Sequence, residues 1–326
     1  MKKLLSVSAL GAALAISAVA MAYGGSPGGT SAATVDSART ATTTAPARSH
    51  APTAKRQAVT IRFTAIQGAR TIRCGTRLTG VGTTKATTRL QDLRLYVSNV
   101  RLVRRDGSSV KLQLRRNDAW NLTRGGQAVT LIDLENGTSG CAGDARMNTV
   151  ITGTVPKGTY TGITYTLGMP LALNHTDPTS SPAPLNLIAM TWSWQSGRKF
   201  TQIELDAPSA RGVTGPDFFV HLGSTGCKGV PTGTNAMTCT APNRAKVLLR
   251  SFNPATQRIA LDIGALTSTV DVTRNGGGAS GCMSGPTDPE CGGVFRAMGL
   301  NWAANGSGTG RTVGDGASQR LFRVVK

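Results

Sequence analysis

The chain is poor in acidic residues and in histidine. Among its 326 residues, 16 are Asp or Glu and three are His, against 36 Lys or Arg. Few side chains are therefore available for acid–base catalysis, and residues 57–326 contain no G-x-S-x-G elbow, H-E-x-x-H helix or P-loop. The glycine-rich segment 276–281 runs into a cysteine loop rather than a helix, so it is a weak phosphate signal. We predict that the chain is not an enzyme.

The amino-terminal residues have the pattern of an export signal. Lys2 and Lys3 precede an apolar run over residues 4–20, and Ala20-Met21-Ala22 fits a small-residue cleavage site. The run is too short for a good membrane anchor. Residues 1–22 are predicted to be a Sec signal peptide, and the mature protein is expected to be periplasmic or secreted and not membrane-spanning.

The next segment differs in composition from the rest of the chain. Residues 23–56 are rich in Ala, Thr, Ser, Gly and Pro and hold almost no large apolar residue. Such a segment cannot bury enough surface to offset its ordering entropy, which predicts a flexible tether. Residues 57–326 then remain, a length that suits one large all-β domain or two small ones.

Alternating apolar and polar residues predict strands throughout this part of the chain. The strand candidates are separated by Gly, Asn and Asp turn signals, and no long helical period is visible. We expect an all-β fold, a disulfide-stapled antiparallel β-sandwich with long loops. The strand candidates are 59–63, 93–103, 110–114, 162–167, 187–194, 199–206, 218–222, 245–252 and 258–263.

The formal net charge of +20 is large for a chain of this length. Inside a cell it would suggest nucleic acid as a partner, which export makes a poor expectation. Many arginines, such as Arg94 and Arg101, alternate with apolar residues in the strand candidates, which favours a solvated sheet face. Attraction to an anionic envelope or an acidic protein partner is the alternative.

Six cysteines in an exported protein favour three disulfide bonds. Fifteen connectivities are possible, and pairing within each local couple, which leaves the first two cysteines for each other, is the one we favour. The spacing does not match paired C-x-x-C zinc knuckles. The cysteines are Cys74, Cys141, Cys227, Cys239, Cys282 and Cys291.

Two of the four tryptophans stand one residue apart in "MTWSWQSGRKF". In a strand, Met190, Trp192 and Trp194 would line one face, because successive side chains point to opposite sides. Gly197 favours a hairpin into the following strand. Taken alone, this face is most simply part of the sandwich core.

The folded part contains two histidines. His175 lies in a turn-rich segment, and His221 lies on the same strand face as Phe219. Each alone is ordinarily a structural histidine. Combined with a Met-x-Trp-x-Trp face, however, imidazole and soft groups suit Cu(I), whereas hard cations need carboxylates that the sequence does not cluster.

An ordered set of motifs resembles the MbnP family of copper-binding proteins, which are associated with methanobactin operons and carry a four-cysteine motif. The resemblance extends from about Gln57 to the closing "LFRVV". The motifs are "LIDLENGTSGCA" (131–142), "PLALNHTDP" (170–178), "MTWSWQSGRKF" (190–200), "FFVHLGSTGC" (218–227) and "GCMSGPTDPECGGVFRAMGL" (281–300).

This resemblance implies a protein that binds one copper ion, Cu(I), for copper acquisition or homeostasis. It also implies a MauG/MbnH-like diheme cytochrome c peroxidase partner that oxidises the first tryptophan of the motif, here Trp192, to kynurenine. His175 and His221 stand in matching motifs and are the candidate ligands. Trp194 and Met190 would cover the metal or relay an electron hole.

The chemistry of the ring explains why oxidation would matter. Indole offers an N–H donor but no free lone pair, so intact tryptophan is a poor ligand. Opening the pyrrole ring creates an arylamine and a ketone that can donate to a metal. A hypothesis of another class also stands: an exported β-sandwich that binds carbohydrate or envelope polymer through its tryptophan-bearing surface.

Overall fold

The computed structural model of the protein describes residues 55–193, 196–230 and 237–326. The predicted signal peptide, nearly all of the tether and Trp194 lie outside the described residues. The first strand begins at Arg56, beside the predicted domain boundary. Within the described ranges, no helix is both long enough and apolar enough to cross a membrane.

Strands dominate the described chain, and its helices are short. The helices are α1 (Leu171–Asn174), α2 (Ile263–Thr267) and α3 (Cys291–Ala297), with a 3-10 helix at Ile188–Met190. The strands are β1 (Arg56–Gln67), β2 (Arg70–Thr71), β3 (Arg77–Val81), β4 (Ala86–Val103), β5 (Ser109–Lys111), β6 (Gln113–Leu114), β7 (Asn121–Arg124), β8 (Gln127–Asp133), β9 (Val150–Pro156), β10 (Gly162–Leu167), β11 (Thr191–Ser193), β12 (Gly197–Arg198), β13 (Thr201–Ala210), β14 (Val213–Thr214), β15 (Phe218–Val220), β16 (Thr225–Lys228), β17 (Thr238–Ala241), β18 (Ala245–Leu249), β19 (Arg258–Asp262) and β20 (Phe322–Val325).

Two large sheets contain most of these strands. In the larger one, the 18-residue strand β4 pairs with β3, β5, β8, β10 and β13, and β7, β14, β15 and β18 complete the sheet. The smaller sheet has the order β20-β19-β1-β9-β6, with β2 beside β1. The pairing is antiparallel except between β1 and β19, which run parallel.

The two sheets pack face to face through their apolar side chains. The ring of Tyr165, from the larger sheet, meets those of Phe63 and Phe322, from the smaller one, edge to face at centroid distances of 6.1 and 5.4 Å. All three side chains are buried in one continuous core. The prediction of an all-β sandwich is confirmed.

The predicted strand over 187–194 is wrong in its first half. Residues Ile188–Met190 form a 3-10 helix, and the strand β11 begins only at Thr191. Met190 is fully buried in the core, and strand alternation does not relate it to Trp192. The predicted hairpin exists, but its second strand is the short β12 rather than β13.

Three disulfide bonds join the pairs Cys74–Cys141, Cys227–Cys239 and Cys282–Cys291. The favoured pairing is therefore confirmed. Cys227 and Cys239 are opposite each other on the ribbon formed by β16 and β17. Such bonds persist in oxidising compartments, as expected for a periplasmic or extracellular protein.

Candidate metal centre

The hairpin β11–β12 carries Trp192 and depends on one glycine. Thr191 pairs with Arg198 and Ser193 with Gly197, whose φ is +89°. A Cβ atom at Gly197 would lie 2.6 Å from Nδ2 of Asn174. Glycine is therefore needed both for the turn and for its close approach to α1.

The indole ring of Trp192 packs on the backbone of Gly223. A Cβ atom at Gly223 would come within 2.5 Å of Cζ3 of this ring. Gly223 lies two residues after His221, so the hairpin and the end of the His221 segment are direct neighbours. Trp192 is only half-buried, which leaves part of its ring open.

A cavity of about 590 Å³ opens beside this ring. Met283 is the described lining residue with a soft donor atom. Cys227, of the Cys227–Cys239 disulfide, also lines the cavity, and neither described histidine does. Met283 lies inside a quoted motif but was not predicted as a site residue, because nothing in the local sequence shows that its loop reaches Trp192. The described lining consists of Trp192, Ser196, Ser224, Thr225, Gly226, Cys227 and Met283.

Ser284 holds the Met283 loop against the end of the β15 segment. Its hydroxyl donates to the carbonyl of His221 at 2.9 Å and accepts from the backbone N–H of Gly223 at 3.0 Å. Asp288 accepts from the backbone N–H of Met283 at 2.8 Å. The thioether is therefore placed by a fixed loop.

His175 lies at the end of α1, on the other side of the Cys227–Cys239 disulfide. The side chain is 2% exposed, and its Nε2 is 3.6 Å from Sγ of Cys239. A ring nitrogen of His175 and the sulfurs of Cys227 and Cys239 all lie within 4.8 Å of one another. Both sulfurs are oxidised, so they offer no thiolate, and imidazole is the strong donor of this group.

Asn174 orients the imidazole of His175. Its Oδ1 accepts a hydrogen bond from the backbone N–H of Arg198 at 2.8 Å, which orients the amide. Its Nδ2 therefore donates to Nε2 of His175, 3.1 Å away. This bond uses the lone pair of Nε2, so a metal ion at Nε2 would have to displace the amide of Asn174.

Arg198 clamps the segment that carries His175. Its side chain is fully buried and has no carboxylate partner among the described residues. It donates instead to the carbonyl oxygens of Leu173, Asn174 and Leu185 at 2.7–3.0 Å. Burial lowers the pKa of Arg198. The guanidinium joins the hairpin to both ends of the loop that contains His175.

His221 is directed toward Glu204. Its Nε2 is 2.7 Å from Oε1 of Glu204, and its ring stacks on Phe219 at 5.4 Å. Burial lowers the pKa of His221, and the charge of Lys199 acts in the same direction, against the hydrogen bond to Glu204. Burial opposes ionisation of Glu204, but this same hydrogen bond and nearby cations hold its pKa below the usual value.

Glu204 belongs to a polar layer on the larger sheet, where the sequence suggested a solvated face. Arg94 is only 4% exposed and forms a two-pronged ion pair with Asp92. Gln202 donates to Asp92 at 2.9 Å. The predicted solvation of Arg94 is therefore wrong, because alternation along a strand cannot show that its polar face is also covered.

Burial makes the carboxyl groups of this layer weak acids. It raises the pKa of Asp92 to about 6, against the ion pair with Arg94. It also raises the pKa of Asp133 to about 7, and the charge of Glu135 adds to that shift. These carboxyl groups raise each other's pKa, but no ligand group among the described residues contains more than one carboxylate.

The structure thus joins some of the predicted site residues more closely than others. Trp192 shares its cavity with Cys227, whose disulfide partner contacts His175. His221 lies two residues before Gly223, on which the ring of Trp192 packs. Its Nε2 faces Glu204. Together, the fold and site define a class of protein: a disulfide-stapled β-sandwich in which a tryptophan hairpin borders a cavity that a methionine also lines, with an imidazole beside the neighbouring disulfide.

Comparison with known proteins identifies the family. A family model described as MbnP matches residues 56–284. The solved structure of MbnP from Methylosinus trichosporium is similar, with a TM-score of 0.71 and 32% identity, over 83% of this chain and 98% of that one. No curated protein matches the chain. The chain belongs to the MbnP family, as the sequence motifs predicted.

Proposed function

We propose that this protein binds one copper ion, as Cu(I), beside Trp192 after that residue has been oxidised to kynurenine. The observation that carries the proposal is the cavity at Trp192, which Met283 and Cys227 also line. The disulfide partner of Cys227, Cys239, contacts His175. The protein acts in copper acquisition or homeostasis, in the periplasm or outside the cell. It is a copper carrier and not itself an enzyme.

The donor groups fit a soft cation. Neutral imidazole and thioether suit Cu(I), whereas Mg²⁺ and Ca²⁺ prefer carboxylate and carbonyl oxygens. The described lining of the cavity contains no carboxylate. Asn174 orients the ring of His175, and a metal ion that binds Nε2 would replace this hydrogen bond.

Oxidation would convert Trp192 from a packing side chain into a donor. Two equivalents of peroxide, reduced to water at the haems of a MauG/MbnH-like diheme cytochrome c peroxidase, each supply one oxygen atom. The C2–C3 bond of the indole breaks, and hydrolysis then releases the formyl group as formate. The arylamine so formed would face the cavity that the ring already borders.

His221 is the second imidazole of the proposal. Glu204 occupies its Nε2, which leaves Nδ1 for a metal. A carboxylate on the opposite ring nitrogen commonly orients a ligating histidine and raises its basicity. Trp194 stays a candidate for covering the metal or relaying an electron hole. Met190, whose side chain is fully buried in the core, is the second candidate for these roles.

Mass analysis with metal counting tests the proposal. The full chain is co-expressed and exported with the diheme peroxidase, in medium containing copper. The tryptic peptide with Trp192 should gain about 4 Da as kynurenine, or about 32 Da as the formyl intermediate. One copper per chain should accompany the modified form.

Two variants serve as controls. Trp192→Phe should lose copper, whereas Trp120→Phe, at a tryptophan that packs on the core and is not among the described lining residues of the cavity, should retain it. Copper bound at full occupancy to protein with unmodified Trp192 would contradict the requirement for oxidation. Unmodified tryptophan without any copper would favour a carbohydrate-binding function instead.

A further inference from the structure

A second pocket lies beside α1, with His175 in its wall, and is separate from the cavity at Trp192. Its volume is about 460 Å³, within the usual range for small-molecule sites. The described residues that line it include one cation, Arg244, and no carboxylate. Leu171 and Met237 supply apolar surface, and Gln127 and Thr176 supply neutral hydrogen-bonding groups.

Arg244 has no counter-ion in the described part of the chain. Its Nε is buried without a hydrogen-bond partner, and no described side chain forms an ion pair with its guanidinium. Burial lowers the pKa of Arg244, and no neighbouring charge opposes that shift. A partly buried and uncompensated cation is costly for a fold.

Two other deeply placed arginines have hydrogen-bond partners within the protein. Arg94 has the carboxylate of Asp92, and Arg198 has three backbone carbonyls. In both cases the folded chain itself satisfies the guanidinium. Arg244 is the exception among the three, and the open space in front of it is a pocket rather than packed protein.

The lining of the pocket indicates the charge and shape of a ligand. A guanidinium pairs with a carboxylate through two parallel hydrogen bonds, which compensates both groups. A single cation matches a monoanion, and the apolar side chains match a short hydrocarbon body. Phosphate would contact only one positive group in this pocket, and it has no apolar part to pack on the apolar wall.

We propose that this pocket binds a small organic carboxylate whose head group pairs with Arg244 and whose apolar body packs on Leu171 and Met237. The site is separate from the cavity at Trp192, and its occupation does not depend on copper or on kynurenine. It shares one residue with the proposed metal centre, because His175 lies in its wall.

Calorimetric titration of the full-length, copper-free protein with hexanoate tests this inference. Saturable binding with one hexanoate per chain is expected, while hexylamine and inorganic phosphate should bind at least tenfold more weakly. Arg244→Gln should weaken hexanoate binding at least tenfold, since a charge-assisted pair is lost. Arg244→Lys keeps the charge but not the planar, two-pronged guanidinium. Its affinity for hexanoate should lie between those of the wild type and Arg244→Gln.

The matched control is Arg105→Gln, at an exposed arginine outside the pocket, which should bind hexanoate as the wild type does. Arg244→Gln should unfold at no lower temperature than the wild type, because it removes an uncompensated charge. If Arg244→Gln does not fold, the ligand series on the wild-type protein decides. Equal binding of phosphate and hexanoate, or undiminished binding by Arg244→Gln, would overturn the proposal.

Discussion

Met283 and Arg198 illustrate how single residues build the candidate centre from distant parts of the chain. Met283 reaches the cavity from a disulfide-closed loop, and Arg198 holds the carbonyl groups around His175. Neither contact can be recognised from the local sequence. The motif around Met283 was recognisable, but its proximity to Trp192 is a property of the tertiary fold alone.

Replacement of Met283 by leucine should weaken copper binding. The two side chains have similar volume, so the cavity keeps its shape while the soft donor is lost. We expect at least a tenfold loss of Cu(I) affinity in a competition titration with a chromophoric chelator. Met147→Leu, at a methionine that is 43% exposed, should not change the affinity. Equal affinities of the two variants would remove the thioether from the site.

Asp133→Asn should change how stability depends on pH. The folded-state pKa of Asp133, about 7, lies above its unfolded value of 3.8, so the folded state holds this proton while the unfolded state has released it. Wild-type stability should therefore fall as pH rises from about 4 to 7. The variant should gain about 2 kcal/mol over the wild type between pH 5 and 8.

Urea unfolding at the two pH values measures this gain. The control is Asp144→Asn, because hydrogen bonds to Arg146 lower the pKa of Asp144 to about 2. That carboxyl is ionised in both states at pH 5 and 8, so its replacement should add no pH dependence in this window. A constant difference between wild type and Asp133→Asn would contradict the assigned titration.

At the scale of elements, strand alternation predicted most of the fold. The strand over 162–167 has the predicted bounds, and 93–103 lies within β4. The 3-10 helix before Trp192 was missed because its three apolar residues fit a strand pattern equally well. Helix α3 was missed because it is seven residues long and contains two glycines, which disfavour helix.

The hairpin β11–β12 is an element that tolerates little change. Gly197→Ala should lower the free energy of unfolding by about 2 kcal/mol, through its positive φ and its clash with Asn174. Because Asn174 orients His175, copper affinity should fall as well. Urea unfolding and chelator competition measure the two effects.

The variant Gly107→Ala separates the effect of a positive φ from the effect of a steric clash. Gly107 has a similar φ of +82°, but an added Cβ would meet nothing within 4 Å. This variant should therefore lose less stability than Gly197→Ala and no copper affinity. Unchanged copper affinity in Gly197→Ala would show that the hairpin does not position His175.

At the scale of the whole molecule, two sheets form the core and three disulfides hold the loops. The cysteine pattern predicted the pairs, since two couples are close in sequence. Cys74 and Cys141 are 67 residues apart, whereas Cys282 and Cys291 are nine apart. A longer closed loop restricts the unfolded chain more strongly.

Removal of the two bonds should therefore have unequal effects. The double variant Cys74→Ala/Cys141→Ala should lose about 4 kcal/mol, and Cys282→Ala/Cys291→Ala about 2.5 kcal/mol, from loop entropy. Guanidinium unfolding of both variants and the wild type measures the difference. A larger loss for the shorter loop would mean that packing around the bond outweighs chain entropy.

The bond between Cys227 and Cys239 has a consequence for how the protein is produced. Made in a reducing cytosol, the chain would present two free thiols beside the imidazole of His175, with donor atoms already within 4.8 Å of each other. Two thiolates and one histidine are a strong zinc-binding set. Zinc found in cytosolic preparations would thus come from a thiol site that oxidative folding normally abolishes.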